Sequence, residues 1–324
     1  MEYLVTGGAG FIGSNIVRYL VCNSKSVRVL DDLSTGRREN IEDILGDVDF
    51  IEGDIRDADT VRKAVTGVRN VLHLAALPSV VRSVEDPVTS NQVNACGTLR
   101  MLVASRDAGV DRFVFSSSSS VYGDTAIMPK REDMTPMPLS PYAVQKLTGE
   151  YYARIFHGLY GLKTFSLRYF NVFGPRQNPK SQYSAVIPLF IDALKNNRSP
   201  IIHGDGSQTR DFTFVDDIIM ANICCCNAPE EAAGEVYNVA HGNRISINEL
   251  ASALMKIMEK NIKPIHDELR PGDVHDSQAD SSRARNILGW NSKTGFEEGL
   301  KRTVSSFMEC GFRNAARLRQ GFGG

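Results

Sequence analysis

A tyrosine and a lysine four residues apart could supply a general base and the cation that activates it. Tyr142 and Lys146 stand at the start of a predicted helix, 142–156, so their side chains project from one face. A phenol has a pKa of about 10 and is a poor base at neutral pH, but a neighbouring ammonium favours its ionised form. The pair could therefore deprotonate an alcohol, although the same spacing is common among surface residues.

Five consecutive serines, 116–120, strengthen the interpretation of this pair. They follow a predicted strand, so their hydroxyl groups lie at the carboxyl edge of a predicted parallel sheet, where such sheets bind ligands. Serines have little reason to fill a core at this place, and helix capping would need only one of them. We therefore expect hydroxyl groups of this run to face the same ligand as Tyr142.

Three glycines at intervals of three residues predict a dinucleotide site. Gly7, Gly10 and Gly13 lie directly after a predicted strand, 3–6, and at the start of a predicted amphipathic helix, 11–21. Glycine lets the backbone turn sharply and approach a pyrophosphate, and the helix N-terminus offers N–H groups to the phosphates. A glycine triplet alone is a weak signal, but its place between strand and helix makes it specific.

Acidic residues after the next strands could bind the rest of the dinucleotide. Asp31 and Asp32 stand 18 residues after the third glycine, close to the offset of about 20 at which a carboxylate binds a ribose hydroxyl. A carboxylate there repels a 2′-phosphate, which favours NAD over NADP, whereas Arg37 and Arg38 keep NADP open as the minority interpretation. Asp54, after the third strand, could reach the adenine edge or could be an ordinary solvated acid.

Short β-branched runs alternate with amphipathic segments of helix length over the first half of the chain. This order predicts right-handed crossovers and a Rossmann-like, doubly wound parallel sheet of the α/β class, with helices on both faces. The predicted strands are 3–6, 27–30, 48–52, 70–75, 112–116 and 164–168, and the predicted helices are 11–21, 60–65, 88–108 and 142–156.

The second half is less regular, because prolines separate short elements. We predict an NAD-binding domain at 1–170, to which later segments return, a smaller C-terminal α/β substrate-binding subdomain at 171–312, and a flexible tail at 313–324. The loop 122–139, rich in proline and glycine, is predicted to be a surface lid.

Composition excludes several classes of protein. Lys and Arg number 37 against 38 Asp and Glu, for a net charge of -1, so a broad basic surface for nucleic acid is disfavoured. No apolar run approaches the roughly 20 residues that span a bilayer, and we expect a cytoplasmic protein. The six cysteines, of which 224–226 are consecutive, have neither zinc-ligand spacing nor the density of a disulfide scaffold, so no metal is expected.

These motifs together resemble the extended short-chain dehydrogenase/reductases, and among them the UDP-sugar 4-epimerases, in particular the UDP-N-acetylglucosamine 4-epimerase subgroup. The resemblance covers nearly the whole chain. Its motifs are, in order, Thr6 to Gly13, Asp31 to Ser34, Gly53 to Ile55, His73 to Ala76, the serine run, Pro141 to Lys146, Arg168 to Gly174, Gly204 to Gly206, Arg210 to Phe212 and Arg270 to Asp273.

The resemblance implies bound NAD, with Tyr142 as the base, Lys146 holding the nicotinamide ribose and Ser118 binding the 4-hydroxyl of the sugar. It also implies cofactor contacts from Gly7, Gly10, Phe11, Ile12, Gly13, Asp31, Asp32, Ser34, Gly36, Asp54, Ile55, Leu74, Ala75, Ala76 and Phe170. The implied substrate contacts are Ser79, Ser118, Ser119, Asn171, Ala185, Val186, His203, Arg210, Arg270 and Ser277. Arg210 and Arg270 would bind the diphosphate through their planar guanidinium groups.

The implied reaction is an epimerisation without net oxidation. Tyr142 takes the proton of the 4-hydroxyl, NAD takes hydride from C4, the 4-keto sugar turns over, and hydride returns to its other face. The small side chain of Ser277 leaves volume for a 2-acetamido group, which favours UDP-GlcNAc and UDP-GalNAc, alongside UDP-Glc and UDP-Gal. The resemblance also implies a homodimer that pairs through the predicted helices 88–108 and 142–156.

Other functions stay open. Dehydration is disfavoured, because the related dehydratases carry Thr-Asp-Glu where this chain has Ser118 to Ser120, and no acid is evident to protonate a leaving hydroxyl. UDP-glucuronate decarboxylation, or another modification of a nucleotide sugar, is the principal alternative. A conventional NAD-dependent sugar dehydrogenase would differ by producing NADH, and a non-catalytic NAD-binding regulatory module could lose the tyrosine, lysine or serine that this chain keeps.

Overall fold

The computed structural model describes residues 1–179, 185–268 and 275–320. Its strands are, in chain order, β1 (Tyr3–Thr6), β2 (Val27–Asp31), β3 (Val48–Glu52), β4 (Asn70–His73), β5 (Arg112–Ser118), β6 (Lys163–Tyr169), β7 (Val172–Phe173), β8 (Ile201–His203), β9 (Thr209–Arg210), β10 (Thr213–Phe214), β11 (Glu235–Val239), β12 (Ile245–Ser246) and β13 (Ile265–Asp267). Its α-helices are α1 (Phe11–Cys22), α2 (Ala58–Val65), α3 (Val80–Glu85), α4 (Pro87–Asn91), α5 (Thr98–Asp107), α6 (Pro141–Tyr160), α7 (Val186–Lys195), α8 (Val215–Asn227), α9 (Ile247–Ile257), α10 (Ser282–Leu288) and α11 (Phe296–Gln320).

Seven strands form one parallel sheet in the order β11-β6-β5-β4-β1-β2-β3. Its inner strands are buried on both faces, as β-branched and aromatic runs without polar alternation predict, whereas the edge strand β3 is partly exposed. Helices α1 and α8 pack together on one face, whereas α2, α5 and α6 cover the other. The predicted Rossmann-like, doubly wound α/β fold is therefore confirmed.

The predicted helix 88–108 is interrupted. Helix α4 passes into a π-helical turn, Gln92–Gly97, before α5 begins at Thr98. Strand β4 also ends at His73, two residues before the predicted end. Apolar periodicity does not reveal such a turn, because a π turn adds one residue without ending the helix.

The C-terminal half builds a second apolar cluster, formed by aromatic and aliphatic residues of β7, α7, β10, α9 and α11. The chain nevertheless returns to the large sheet, since β11 pairs with β6 and Val239 lies opposite Tyr169. The proposed boundary at residue 170 stays a prediction. Helix α11 continues to Gln320. The predicted start of the tail, residue 313, therefore falls inside this helix.

The loop 122–139 lies at the surface, as the sequence predicts, and several of its residues are anchored to their surroundings; its role as a lid stays a prediction. The buried Tyr122 donates its hydroxyl to Asn238 Oδ1 at 2.7 Å, and Glu132 accepts the Asn238 N–H at 2.7 Å. The Lys130 backbone pairs with residues 278 and 280.

Within the described part of the chain, no helix is both long and apolar enough to cross a bilayer.

Candidate functional site

The carboxyl edge of the sheet opens into a cleft with a cavity volume of about 660 Å³, here called the first cleft. The ends of β1, β4 and β5 and the first turns of α1 and α6 line it. This is the place at which an open parallel sheet binds ligands, because the crossover helices on its two faces diverge there.

The glycine turn packs so closely against its own backbone that no side chain fits at Gly7 or Gly13. A Cβ on Gly13 would lie 2.1 Å from the Gly7 carbonyl oxygen, and one on Gly7, whose φ is +68°, would lie 2.9 Å from the Ala75 nitrogen. Helix α1 begins after Gly10 without a side-chain cap, so its first N–H groups can bind an anion. The turn therefore fits a pyrophosphate.

The two aspartates after β2 differ in environment. Asp31 is buried, and its carboxylate accepts the N–H of Ala9 at 2.8 Å and of Leu33 at 2.9 Å. Burial raises the pKa of Asp31, and these two N–H groups oppose the rise. Asp32 is exposed and accepts the Ser34 hydroxyl at 2.7 Å. Both aspartates line the first cleft, and Asp31 also braces the glycine turn.

Tyr142 and Lys146 meet at the other end of the first cleft. The Lys146 ammonium lies 5.8 Å from the centre of the Tyr142 ring and donates to the Ser116 carbonyl at 2.6 Å. Burial raises the pKa of Tyr142 to about 12, and a hydrogen bond with the Ser118 side chain opposes the rise. Burial lowers the pKa of Lys146 to about 8, against the attraction of Glu150. The structure thus places the predicted base, lysine and serine together.

The serines of the run have different partners. The Ser116 carbonyl holds Lys146, the Ser117 hydroxyl donates to Glu150 Oε1 at 2.5 Å, and the Ser118 hydroxyl accepts the Ser120 N–H at 3.1 Å. Ser116 to Ser119 line the first cleft. The serine run therefore both lines the first cleft and holds α6 in place through Ser116 and Ser117.

A buried ion pair stands behind the lysine. Arg168 donates from Nε and Nη2 to the two Glu150 oxygens at 2.9 and 2.7 Å, and both side chains are almost fully buried. Because Ser117 also donates to Glu150, the strands β5 and β6 are both tied to α6 one turn beyond Lys146. The sequence motifs did not predict this pair as part of the site, although Arg168 begins one of them.

A second cleft of about 240 Å³ adjoins the first and is lined by residues of the C-terminal half. Ala185, Val186, His203 and Arg210 line it, and Asn171 lines both clefts. The Arg210 guanidinium donates to the Thr209 carbonyl at 2.9 Å. Five of the predicted substrate contacts thus line the second cleft, and Asn171 connects it to the first cleft, which holds the predicted base.

Ser277 lies behind Asn171. The Asn171 amide donates to the Ser277 hydroxyl at 3.4 Å and to the Asp211 carbonyl at 3.2 Å. Ser277 is not among the described residues that line either cleft. Its side chain would therefore influence a bound sugar through Asn171, and not by direct contact alone.

The remaining predicted residues divide into three groups. Gly10, Phe11, Ile12, Ile55, Leu74, Ala75, Ala76 and Ser79 line the first cleft with those already described. Three others lie away from its wall: Gly36 packs against the Asp31 carboxylate, Asp54 binds Arg56, and Phe170 is buried beside Tyr122. Arg270 lies outside the described residues. The roles of all these residues at a cofactor or substrate stay predictions.

Several polar residues of the first cleft were not predicted. Arg82, Arg176, Gln177 and Asn178 line it, and Arg176 donates to Asn15 Oδ1 at 2.8 Å. The signal available in the sequence is the segment 175–178, which follows β7 after one glycine and carries three polar side chains after a proline.

Comparison with known proteins gives consistent matches over nearly the full chain. Residues 4–303 match the family described as GDP-mannose 4,6 dehydratase. The chain is similar to the UDP-glucose 4-epimerase of Mycolicibacterium smegmatis, with 40% identity over 311 residues that cover 95% of this chain and 98% of the relative. It is also similar to a UDP-N-acetylglucosamine 4-epimerase of Methanobrevibacter ruminantium solved with UDP-N-acetylmuramic acid, with 41% identity, a TM-score of 0.91, and coverage of 95% and 98% of the two chains.

Two further matches bear on the cofactor and on the reaction. The UDP-glucose 4-epimerase of Thermus thermophilus, solved with NAD, is 36% identical with a TM-score of 0.86 and covers 95% of this chain and 99% of that one. A UDP-N-acetyl-alpha-D-glucosaminuronate decarboxylase of Bacillus cytotoxicus is 30% identical over 318 residues, covering 94% of this chain and 97% of the relative.

Proposed function

This chain belongs to the extended short-chain dehydrogenase/reductase family that includes the UDP-sugar 4-epimerases, and from that premise we propose that it interconverts UDP-GlcNAc and UDP-GalNAc, and also UDP-Glc and UDP-Gal. The observation that carries this proposal is the junction of the two clefts. Tyr142, Lys146 and Ser118 stand at one end of the first cleft, and Asn171 joins that cleft to the second.

NAD is the cofactor that the first cleft would hold. The uncapped start of α1 suits a pyrophosphate, and Asp31 with Asp32 suits the adenosine ribose. Bound there, NAD would supply the acceptor and later the donor of the hydride at C4 of the sugar. The NAD complex of the Thermus thermophilus relative supports this assignment.

Tyr142 would move the proton and Ser118 would orient the hydroxyl that loses it. Both side chains line the first cleft, and burial raises the pKa of Tyr142 whereas the Ser118 hydroxyl lowers it. A sugar hydroxyl that binds both would be held in the direction of proton transfer. Lys146 is fixed by the Ser116 carbonyl, with its charge close to the Tyr142 ring. That charge would favour the phenolate when the hydroxyl gives up its proton.

The second cleft would hold the nucleotide and leave the hexose weakly bound. Arg210 offers a guanidinium fork to a diphosphate, and the apolar residues Phe190, Phe212 and Ile247 offer walls for a base. An epimerase needs this division, because the sugar must turn over between the two transfers while the nucleotide stays in place. His203 and the backbone at 185–186 would complete the contacts to the nucleotide.

The preference for acetamido sugars rests on Ser277 and on the relatives. A small residue stands at the position that the resemblance assigns to the sugar gate, and a structural relative is a UDP-N-acetylglucosamine 4-epimerase. A decarboxylase acting on a UDP-uronate is the second candidate, favoured by the match to the Bacillus cytotoxicus enzyme.

We also propose a homodimer. Helices α3 and α6 expose apolar side chains that a monomer would leave in water, namely Val80, Val81, Val84, Val144, Tyr151, Ile155 and Leu159. An exposed apolar face of this kind is typical of a protein interface. It includes one of the two helices that the resemblance assigns to the dimer, together with the short α3 beside it.

One experiment separates these functions. The purified protein, with no NAD added, is incubated with UDP-GlcNAc, UDP-Glc and UDP-glucuronate, and the products are identified by NMR. We expect UDP-GalNAc and UDP-Gal at equilibrium with their substrates and no accumulation of NADH. Loss of carbon dioxide from UDP-glucuronate would favour the decarboxylase, stoichiometric NADH would favour a dehydrogenase, and no turnover of any substrate would favour a binding module.

A further inference from the structure

We infer that Gln145, which the site described above does not use, is a positioning residue that fixes Tyr142 and Lys146 against the cleft loop at 74–79. The inference rests on the proposed function, because it concerns the same two side chains. The proposed link is buried, and it joins the helix that carries them to the loop 74–79, which also lines the first cleft.

Gln145 lies between the two reactive residues in the first turns of α6, but its side chain is buried away from the first cleft. Its Oε1 accepts two hydrogen bonds at 2.8 Å, one from the Ser90 hydroxyl and one from the Asn94 amide. All three side chains are at most 2% exposed. Hydrogen bonds between buried polar side chains are costly to break, so the two bonds accepted by Gln145 Oε1 constrain the elements they join.

Asn94 carries the link onward to the cleft loop. Its Oδ1 accepts the Leu77 N–H at 2.8 Å, and its Nδ2 donates to the Leu77 carbonyl at 3.2 Å. One amide group therefore holds both backbone polar atoms of Leu77, and its remaining N–H reaches Gln145. Asn94 and Gln145 thus join the loop to α6, beside the bond that the Tyr142 N–H donates to the Ser83 hydroxyl of α3 at 3.0 Å.

The π-helical turn sets the direction of Asn94. The turn spans Gln92–Gly97, and the Thr98 hydroxyl donates to the Asn94 carbonyl at 2.6 Å. Single π turns are frequent at functional sites because they displace one side chain without breaking the helix. Here the displaced segment contains Val93, which lines the first cleft, and Asn94, which faces the buried cluster.

A second route connects the same turn to the glycine strand. Since Thr98 donates to Asn94, its oxygen accepts from His73 Nε2 at 3.0 Å, and the Thr6 hydroxyl donates to His73 Nδ1 at 2.8 Å. The Thr6 oxygen in turn accepts the Ala75 N–H at 3.1 Å. The donor of each hydrogen bond in this series follows from the one before it. The loop is therefore held from two sides, and Gln145 connects it to α6.

The variants that test the inference change one bond set at a time. Gln145→Met keeps the length and removes the acceptor, whereas Gln145→Glu keeps an accepting oxygen in either protonation state. The matched control is Thr164→Val, which removes a buried 2.7 Å bond to the Ala153 carbonyl of the same helix, about two turns beyond Lys146.

The first measurement is steady-state turnover of the UDP-sugar. We expect Gln145→Met to lower kcat by roughly 10- to 100-fold with KM within about threefold of the parent, since a displacement of about 1 Å can have this effect. Gln145→Glu should recover most of kcat. Thr164→Val should keep kcat within about twofold of the parent, even if its melting temperature falls as far as that of Gln145→Met. A Gln145→Met enzyme with parental kcat would overturn the inference, and so would an equal loss in the control.

The second measurement does not depend on activity. Amide hydrogen exchange of the whole protein should rise in Gln145→Met both at 74–79 and at 141–147, and should stay parental at 74–79 in Thr164→Val. Unchanged exchange at 74–79 in Gln145→Met would overturn the link even if the protein had no epimerase activity. An inactive parent protein with the expected exchange pattern would instead contradict the proposed function and leave the link supported.

Discussion

At the scale of single residues, Tyr142 is held in a site whose burial opposes the ionised form that it needs. Burial raises its pKa to about 12, and the charge of Lys146, itself weakened by burial, has to overcome this effect. We expect the pair to become effective only when further positive charge enters the first cleft. The reactivity of the phenol would then depend on the cofactor as much as on the lysine.

This expectation gives a pH-dependent prediction. Without NAD, Tyr142 should stay protonated through neutral and mildly alkaline pH, because its pKa lies above its ordinary value. Addition of NAD to protein stripped of its cofactor should move the ionisation of one tyrosine to lower pH. Ultraviolet difference titration of the parent protein and Tyr142→Phe measures this shift, and a parental curve that NAD leaves unmoved would contradict it.

The second prediction at this scale concerns catalysis. Tyr142→Phe should lower kcat by about two to four orders of magnitude, the usual contribution of a general base, while binding of the UDP-sugar is kept. Tyr151→Phe, an exposed tyrosine of the same helix, should retain parental turnover. Near-parental kcat in Tyr142→Phe would remove the tyrosine from the mechanism.

The third prediction concerns the choice of sugar. Ser277→Tyr should lower kcat/KM for UDP-GlcNAc at least tenfold more than for UDP-Glc, because the larger side chain takes volume beside Asn171. Ser277→Ala, which removes the hydroxyl without adding volume, should treat both sugars as the parent does. Equal loss of both sugars in Ser277→Tyr would show that displacement of Asn171, and not a selective gate, dominates.

At the scale of elements, the glycine turn is the part of the site with the least tolerance. Gly13→Ala should abolish tight NAD binding, since its Cβ would stand 2.1 Å from the Gly7 carbonyl oxygen and the turn would have to open. Gly46→Ala, where the added Cβ meets nothing within 4 Å, is the control. The NAD content of the two purified variants measures the effect. Full NAD occupancy in Gly13→Ala would contradict the assignment of the glycine turn to pyrophosphate binding.

The same scale shows what the sequence could predict. The strands and helices around the glycine turn and the serine run follow from local signals: apolar periodicity, glycine spacing and the alternation of strand with helix. The π turn, the short helix α3 and the Asn94–Gln145 link do not. Each depends on which side chains meet after folding, and a single sequence does not encode such pairs in any local pattern.

The candidate site divides in the same way. Tyr142, Lys146, Ser118 and the glycines could be predicted, because their chemistry requires those residue types at that spacing. The positions of Ser277 and Phe170 relative to the clefts could not, because the C-terminal segments approach the sheet through long-range contacts. The family resemblance assigned these residues by their position along the sequence. That position does not give the direction in which a side chain points.

At the scale of the whole molecule, the apolar face of α3 and α6 predicts assembly. Leu159→Glu, at a side chain that is 72% exposed, should convert the dimer to monomers by placing a charge in the interface. Ile127→Glu, at an exposed apolar residue of the loop 122–139, should leave the dimer intact. Sedimentation velocity distinguishes the species, and a monomeric parent protein would contradict the proposed interface.

The return of β11 to the large sheet limits how this enzyme could be rebuilt from parts. A chimera that joined residues 1–170 to the C-terminal portion of a relative would take its seventh strand and helix α8 from the donor, so β6 and the face under α1 would meet foreign partners. Recombination at the predicted boundary, residue 170, would therefore disturb the packing of the cofactor-binding half. Exchanges that alter the nucleotide wall while keeping β11 and α8 native should survive far more often.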